Sequence, residues 1–279
     1  MSRVIFLTAF ALLGFAFNSI LCRLALRGGE ADAAGFTMVR LASGAITLVL
    51  ISFLSRKYNS NLRAGSWQSA FWLVAYAICF SIAYLDLTAG TGALILFGSV
   101  QLTMIAISLG KGERPKVLEW LGLVVAVSGL VYLVLPGLAS PPLNASLLMA
   151  VAGASWGFYT LRGKRGGDPL ADTTGNFVKA LVVVPVLGLV FWPNLHLSTQ
   201  GSLLAILSGA VASGIGYSIW YAALTHHTAT RAAVLQLAVP IIAAVIGILF
   251  LAETISPRLF LAGSLILGGI GLTILGRKR

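Results

Sequence analysis

Two cations lie inside apolar stretches of this chain. Arg40 and Lys179 each sit a few residues into a long apolar segment, 139 positions apart in 279 residues. A cation at membrane depth costs roughly 2.5–3.5 kcal/mol on insertion scales. Two of them half a chain apart point to a polar feature built once from each half of a duplicated membrane fold. A guanidinium or ammonium in that setting attracts an anion such as a carboxylate, at a gate or a binding site. The competing reading is that each side chain snorkels to its nearer interface or caps a helix end.

Other polar and aromatic groups accompany them. Asn18 is deep in the first apolar run and should face protein, either lining a cavity or bonding another helix. Phe17 and Trp156 align at the same 139-residue shift, with Tyr159 close to Trp156. Such rings stack on a ligand, face its ammonium or fill the core. Tyr76, Tyr84, Tyr217 and Tyr221 carry hydroxyls that need partners at depth. Gln236 lies one turn before Pro240, whose ring frees the Gln236 carbonyl from its helical bond. The candidate cavity set is thus Phe17, Asn18, Tyr76, Tyr84, Trp156, Tyr159, Tyr217, Tyr221 and Gln236.

The elements that position these residues are set by the solvent. Hydrophobic residues make up 58% of the chain and charged residues 10%, against about 25% charged in soluble domains. That composition predicts an all-α integral membrane protein. Apolar runs fall near 4–24, 36–54, 67–87, 89–109, 117–136, 143–161, 174–192, 201–224, 229–251 and 257–276. Runs this long must be helices, because lipid cannot satisfy an open backbone. The first run is too long for a signal-peptide core and reads as an uncleaved span.

The net charge of +11 is not a nucleic-acid signature here. With the N-terminus inside, the inner loops hold fourteen cations, among them Arg56, Lys57, Lys111, Arg114, Lys164, Arg165, Arg231, Lys278 and Arg279, and the outer loops three. That asymmetry puts both termini in the cytoplasm. Cys22 and Cys79 read as packing residues. His226 and His227, being adjacent, read as an interfacial pair rather than metal ligands. Neither a metal nor a cofactor is expected.

Ten spans divide into five and five, at 1–139 and 140–279. An odd number of spans per half predicts repeats of opposite orientation, with the substrate site between them and transport by alternating access. Glu113 and Glu253 each close an apolar segment, and a glycine, Gly129 or Gly269, follows 16 residues later. A proline follows each glutamate, Pro115 two residues on and Pro257 four.

The ten-span plan, the Glu-to-Gly spacing and the stretch from Ala252-Glu253-Thr254-Ile255 to Gly263-Ser264-Leu265-Ile266-Leu267-Gly268-Gly269 resemble the EamA-type members of the drug/metabolite transporter superfamily. The resemblance covers the whole chain and is nearest to bacterial inner-membrane aromatic amino-acid exporters of the YddG type. It implies export of aromatic and other neutral amino acids through a central cavity. The first half departs from the pattern at Val127-Ser128, where the family motif has a Leu-Ile pair.

All eight acids lie in loops or at segment ends, which predicts facilitated transport rather than proton coupling. The alternative is a broad metabolite or drug exporter of the same superfamily, although the intramembrane charges are positive and disfavour cation selectivity. A remoter alternative is an intramembrane enzyme, for which no His-Glu-x-x-His, paired aspartates or phosphate loop is present. The partners expected are the lipid bilayer and a small-molecule substrate. Oligomeric state is open, with a monomer compatible.

Overall fold

The computed structural model describes residues 2–55, 63–110, 116–135, 137, 140–163, 168–227 and 235–277. Among them ten helices follow one another: α1 (Ser2–Arg27), α2 (Ala33–Leu54), α3 (Trp67–Ala83), α4 (Ala89–Gly110), α5 (Val117–Val134), α6 (Leu143–Gly163), α7 (Pro169–Asn194), α8 (Thr199–Leu224), α9 (Ala238–Leu251) and α10 (Pro257–Arg277). Seven of them (α1, α2, α4, α5, α7, α8 and α10) are long and apolar enough to cross a membrane, and α3 and α9 are shorter apolar helices. The ten-helix expectation is therefore met. Glu113, Pro115 and the loop cations Arg56, Lys57, Lys111, Arg114, Lys164, Arg165, Arg231, Lys278 and Arg279 lie outside the described residues.

Helix starts follow from side chains that accept from otherwise unpaired backbone N–H groups. Asp32 Oδ1 accepts from Ala34 and Gly35 at 2.9 Å each, so α2 begins at Ala33, three residues earlier than its apolar run. Asp168 accepts from Leu170 and Ala171, and α7 begins at Pro169 rather than 174. Ser66 and Ser198 cap α3 and α8 in the same way.

Two prolines interrupt helices. Proline lacks an N–H, and its ring collides with the carbonyl four residues earlier. Pro185 accordingly breaks α7 at Leu181-Val182, between Pro169–Ala180 and Val183–Phe191. Pro240 leaves a turn at Leu237 just after Gln236, as its spacing predicts. α8 is irregular for another reason: Ser208–Ile215 forms a π-helical segment, a feature frequent at functional sites.

The most extensive helix contacts are those of α1 with α8 and α9, α2 with α7 and α8, α3 with α6 and α7, α4 with α6 and α9, and α5 with α10. The α5–α10 contact depends on bare backbone. A Cβ at Gly269 would lie 2.5 Å from Ala126 N, and one at Gly129 would lie 2.7 Å from Leu265 Cβ. The two glycines marked by the 16-residue spacing thus meet in one interface. The loops gather at two ends. At one, Thr8 bonds His227 at 2.8 Å and Lys179 donates to the Ala64 carbonyl at 2.6 Å. At the other, Asp32 Oδ2 accepts from His196 N at 2.7 Å, and Glu253 faces Arg23 at 3.6 Å while accepting from Ala89 N at 2.9 Å. Burial raises the Glu253 carboxyl above its ordinary range, against the opposing pull of Ala89 N–H and Arg23.

Gly269→Ala should lower the Tm of the detergent-solubilised protein by several degrees, through overpacking of about 1–3 kcal/mol. Gly268→Ala, where a Cβ meets nothing within 4 Å, should leave it unchanged. For Glu253 the sign follows from its raised pKa. The folded state favours the protonated form, so this group's contribution to stability is fully present below its unfolded pKa of about 4.3 and lost as pH rises through the folded value. The difference in Tm between the protein and Glu253→Gln should therefore shift against the protein as pH is raised from about 4 to 7. Thermal melts across that range check it.

Candidate functional site

Arg40 is two turns into α2, about 10 Å along its axis at 1.5 Å per residue, because the Asp32 cap lengthens the helix ahead of it. Its side chain is 1% exposed. It neither snorkels nor caps. Nη2 donates to Tyr217 Oη at 2.8 Å and to Tyr76 Oη at 3.1 Å, and Nε donates to Ser213 Oγ at 3.1 Å. The guanidinium carbon lies 5.1 Å from the Tyr76 ring centre and 5.0 Å from that of Phe80, within cation–π range. Nη1 is buried without a hydrogen-bond partner among the described residues. Among the described residues no carboxylate lies within ion-pair distance of this guanidinium.

The π segment delivers Ser213 to this position. It also lies directly against α2: a Cβ at Gly209 would run into the Arg40 carbonyl and Ser43 Oγ. Ser208, at the start of the segment, donates to Asn18 Oδ1 at 2.6 Å, and Asn18 Nδ2 donates to Tyr76 Oη at 3.0 Å. A connected set of polar groups therefore runs from Asn18 on α1 through Tyr76 on α3 to Arg40 on α2 and Tyr217 and Ser213 on α8.

Aromatic rings surround that set. Trp156 on α6 lies 4.5 Å from Tyr217, 5.1 Å from Tyr76 and 5.5 Å from Tyr159 between centroids. Phe15 meets Trp156 and Trp220 edge-on, both at 5.6 Å. The indole N–H of Trp156 has no acceptor among the described residues. Tyr159 meets Tyr221 at 5.8 Å and accepts from Asn176 Nδ2 at 3.4 Å.

The predicted cavity residues are therefore not one group. Asn18, Tyr76, Trp156, Tyr159 and Tyr217 come together around Arg40, and Tyr221 adjoins them through Tyr159. Phe17 does not. It is 44% exposed, whereas Phe15 faces the centre. Asn18 points inward, and the position three residues before it shares its helix face, while Phe17 is rotated about 100° away. Tyr84 is buried at the end of α3, its hydroxyl donating to the Ala89 carbonyl at 3.3 Å, and belongs to the α3–α4 corner. Gln236 is buried, its Oε1 without a partner among the described residues, beside the break at Leu237. Lys179, 139 positions after Arg40, caps the Ala64 carbonyl instead of joining the cluster.

Sequence reasoning missed Phe15, Phe80, Ser208 and Ser213. Helical periodicity from Asn18 identifies Phe15. Phe80 lies one turn beyond Tyr76 on the same face. Gly209 and Ser213 stand four residues apart, the spacing of a small-residue helix-packing pair. Gly209 does pack, but Ser213 bonds the guanidinium, because the extra residue per turn of a π segment re-aims the side chains that follow.

Comparisons with known proteins agree with this architecture. A model of the EamA-like transporter family matches residues 143–275. An uncharacterized protein of Pseudomonas aeruginosa is 47% identical over 99% of this chain and 96% of its own length. The threonine/homoserine exporter RhtA of Escherichia coli is 31% identical, covering 88% of this chain and 83% of the exporter. A solved crystal structure, 17% identical, superposes with a TM-score of 0.71 over 100% of this chain and 99% of the other, and so shares the fold. With ten described helices and relatives of this similarity over most of its length, the chain belongs to the EamA-like transporter family and is a multi-pass membrane transporter of small molecules.

Proposed function

We propose that this transporter exports neutral amino acids from the cytoplasm across the bacterial inner membrane, with Arg40 as the anchor for the substrate carboxylate. One observation carries the reading: a fully buried guanidinium that is held by hydroxyls, faces no described carboxylate and retains a free Nη1. An unmatched buried charge is costly, and a carboxylate is the ligand whose geometry fits the guanidinium fork. The unpartnered Trp156 N–H and the surrounding rings offer a further donor and apolar walls.

The repeat reading has support in the helix contacts. Exchanging each helix with the one five places on turns α3–α6 into α8–α1, α4–α6 into α9–α1 and α2–α8 into α7–α3, all of which are observed pairs. The self-related pairs α2–α7, α4–α9 and α5–α10 are in contact as well. This favours inverted halves at 1–139 and 140–279 that rock about the Arg40 site. The cation-rich loops favour cytoplasmic termini. The name of the Escherichia coli relative adds threonine and homoserine to the aromatic amino acids as the first substrates to try.

Purified protein in liposomes, assayed with a panel of radiolabelled threonine, homoserine and aromatic amino acids, is expected to carry at least one of them. Transport of cationic dyes and of no amino acid would favour the broad exporter instead. Arg40→Met is expected to abolish that transport while leaving Tm unchanged or higher, because removing a buried charge is often neutral or stabilising. Arg40→Lys, which keeps the charge and loses the fork, is expected to weaken apparent affinity about tenfold. Since no described carboxylate reaches the cluster, uptake should proceed without an imposed pH gradient. A strict requirement for one would count against facilitated transport.

A further inference from the structure

A polar cavity opens at the end of the bundle that holds Ala64 and the first turn of α7. It has a volume of about 240 Å³, against about 30 Å³ for a water molecule in the liquid, so it admits a ligand of several heavy atoms. Gly65, Ser66, Ser69, Arg162, Asp172 and Asn176 line it. Two of these carry opposite charges, yet Arg162 and Asp172 form no ion pair. Asp172 Oδ1 accepts one long bond from Gly65 N at 3.3 Å. Arg162 Nε is buried with no hydrogen-bond partner among the described residues. A cation and an anion that share a cavity without neutralising one another match a ligand that carries both charges.

The cavity also leads inward. Asn176 accepts from Ser66 N at 2.9 Å at the cavity wall and donates to Tyr159 Oη at 3.4 Å. Tyr159 contacts Trp156, and Trp156 contacts both tyrosines that bind Arg40. The wall of the mouth is thus one side chain removed from the aromatic lining of the centre.

We infer that this cavity is an entrance subsite for a zwitterion, in which Arg162 takes the α-carboxylate and Asp172 the α-ammonium of an amino acid before it passes Tyr159 to Arg40. The inference rests on the carboxylate-anchor reading of Arg40 and adds a place of first capture and a chemical requirement for both charges. Arg162 and Asp172 come from α6 and α7, and the peptide between them includes Lys164 and Arg165, so a sequence scan sees a basic loop rather than a matched pair.

The test is a split of KM from maximal rate in proteoliposomes loaded with the amino acid that the panel selects. Arg162→Gln and Asp172→Asn, the second of which keeps an acceptor for Gly65 N, are each expected to raise KM about tenfold, the loss of one charge-assisted hydrogen bond, with maximal rate retained. Competition adds a readout that a structural role would not move. The N-acetylated amino acid should compete poorly with the unmodified protein and relatively better with Asp172→Asn. The amino-acid amide should show the same change with Arg162→Gln. Unchanged KM and unchanged competition in both variants, with Arg40→Met inactive, would overturn the entrance subsite alone. Full activity of Arg40→Met would remove the reading beneath it. Should either single variant fail to fold, Arg162→Lys and Asp172→Glu serve: a partial rise in KM supports the subsite and an unchanged KM overturns it.

Discussion

A guanidinium sealed among aromatic rings with no described carboxylate in reach dominates the energetics of the centre of this molecule. Arg40 is stabilised by dispersed partial charges: two phenol oxygens, one serine oxygen and the faces of two rings. Such partners make the ion tolerable without neutralising it. The positive charge therefore remains available to an anionic group that enters. A salt bridge at this position would have been the simpler way to bury arginine, but it would have occupied the same donors.

Part of the irregular backbone of the bundle serves that one side chain. The π segment of α8 brings Ser213 to Nε and Ser208 to Asn18, and Gly209 lets it lie against the α2 backbone at Arg40. The proline breaks in α7 and before α9 leave backbone carbonyls outside regular helical bonding. Such carbonyls are tolerated in a membrane only where protein or a water-filled space receives them. Regular helices such as α5 and α10, packed glycine to backbone, carry none of these irregularities.

The two ends of the bundle are built differently. One is tied by Asp32 to His196, and by Glu253 to both Arg23 and the start of α4, so that several helices must separate together for it to open. The other carries the cavity with Arg162 and Asp172 unpaired. An end with a committed ion pair and an end with uncommitted charges differ in how readily they admit a zwitterion.

Much of the fold was legible in the chain because the bilayer permits few solutions. Continuous apolar runs had to be helices, and ten were found close to their expected places. Asp32 and Asp168 moved two helix starts by the capping chemistry that any sequence exposes, and Pro185 and Pro240 set breaks three to four residues upstream of themselves. The membership of the site was only partly legible. Tyr76, Trp156 and Tyr217 were recognisable as rings at depth, but Phe17 was chosen over Phe15 by alignment of the halves, when the face shared with Asn18 was the better guide. Arg40 and Lys179 looked equivalent by spacing, yet one is a buried, unneutralised charge and the other caps a carbonyl. Composition and periodicity by themselves determined which residues lie in helices and that two cations lie inside them. Only the tertiary structure decided which of the two faces the interior, because in helices apolar on every side the inward face is set by the neighbours against which each helix packs.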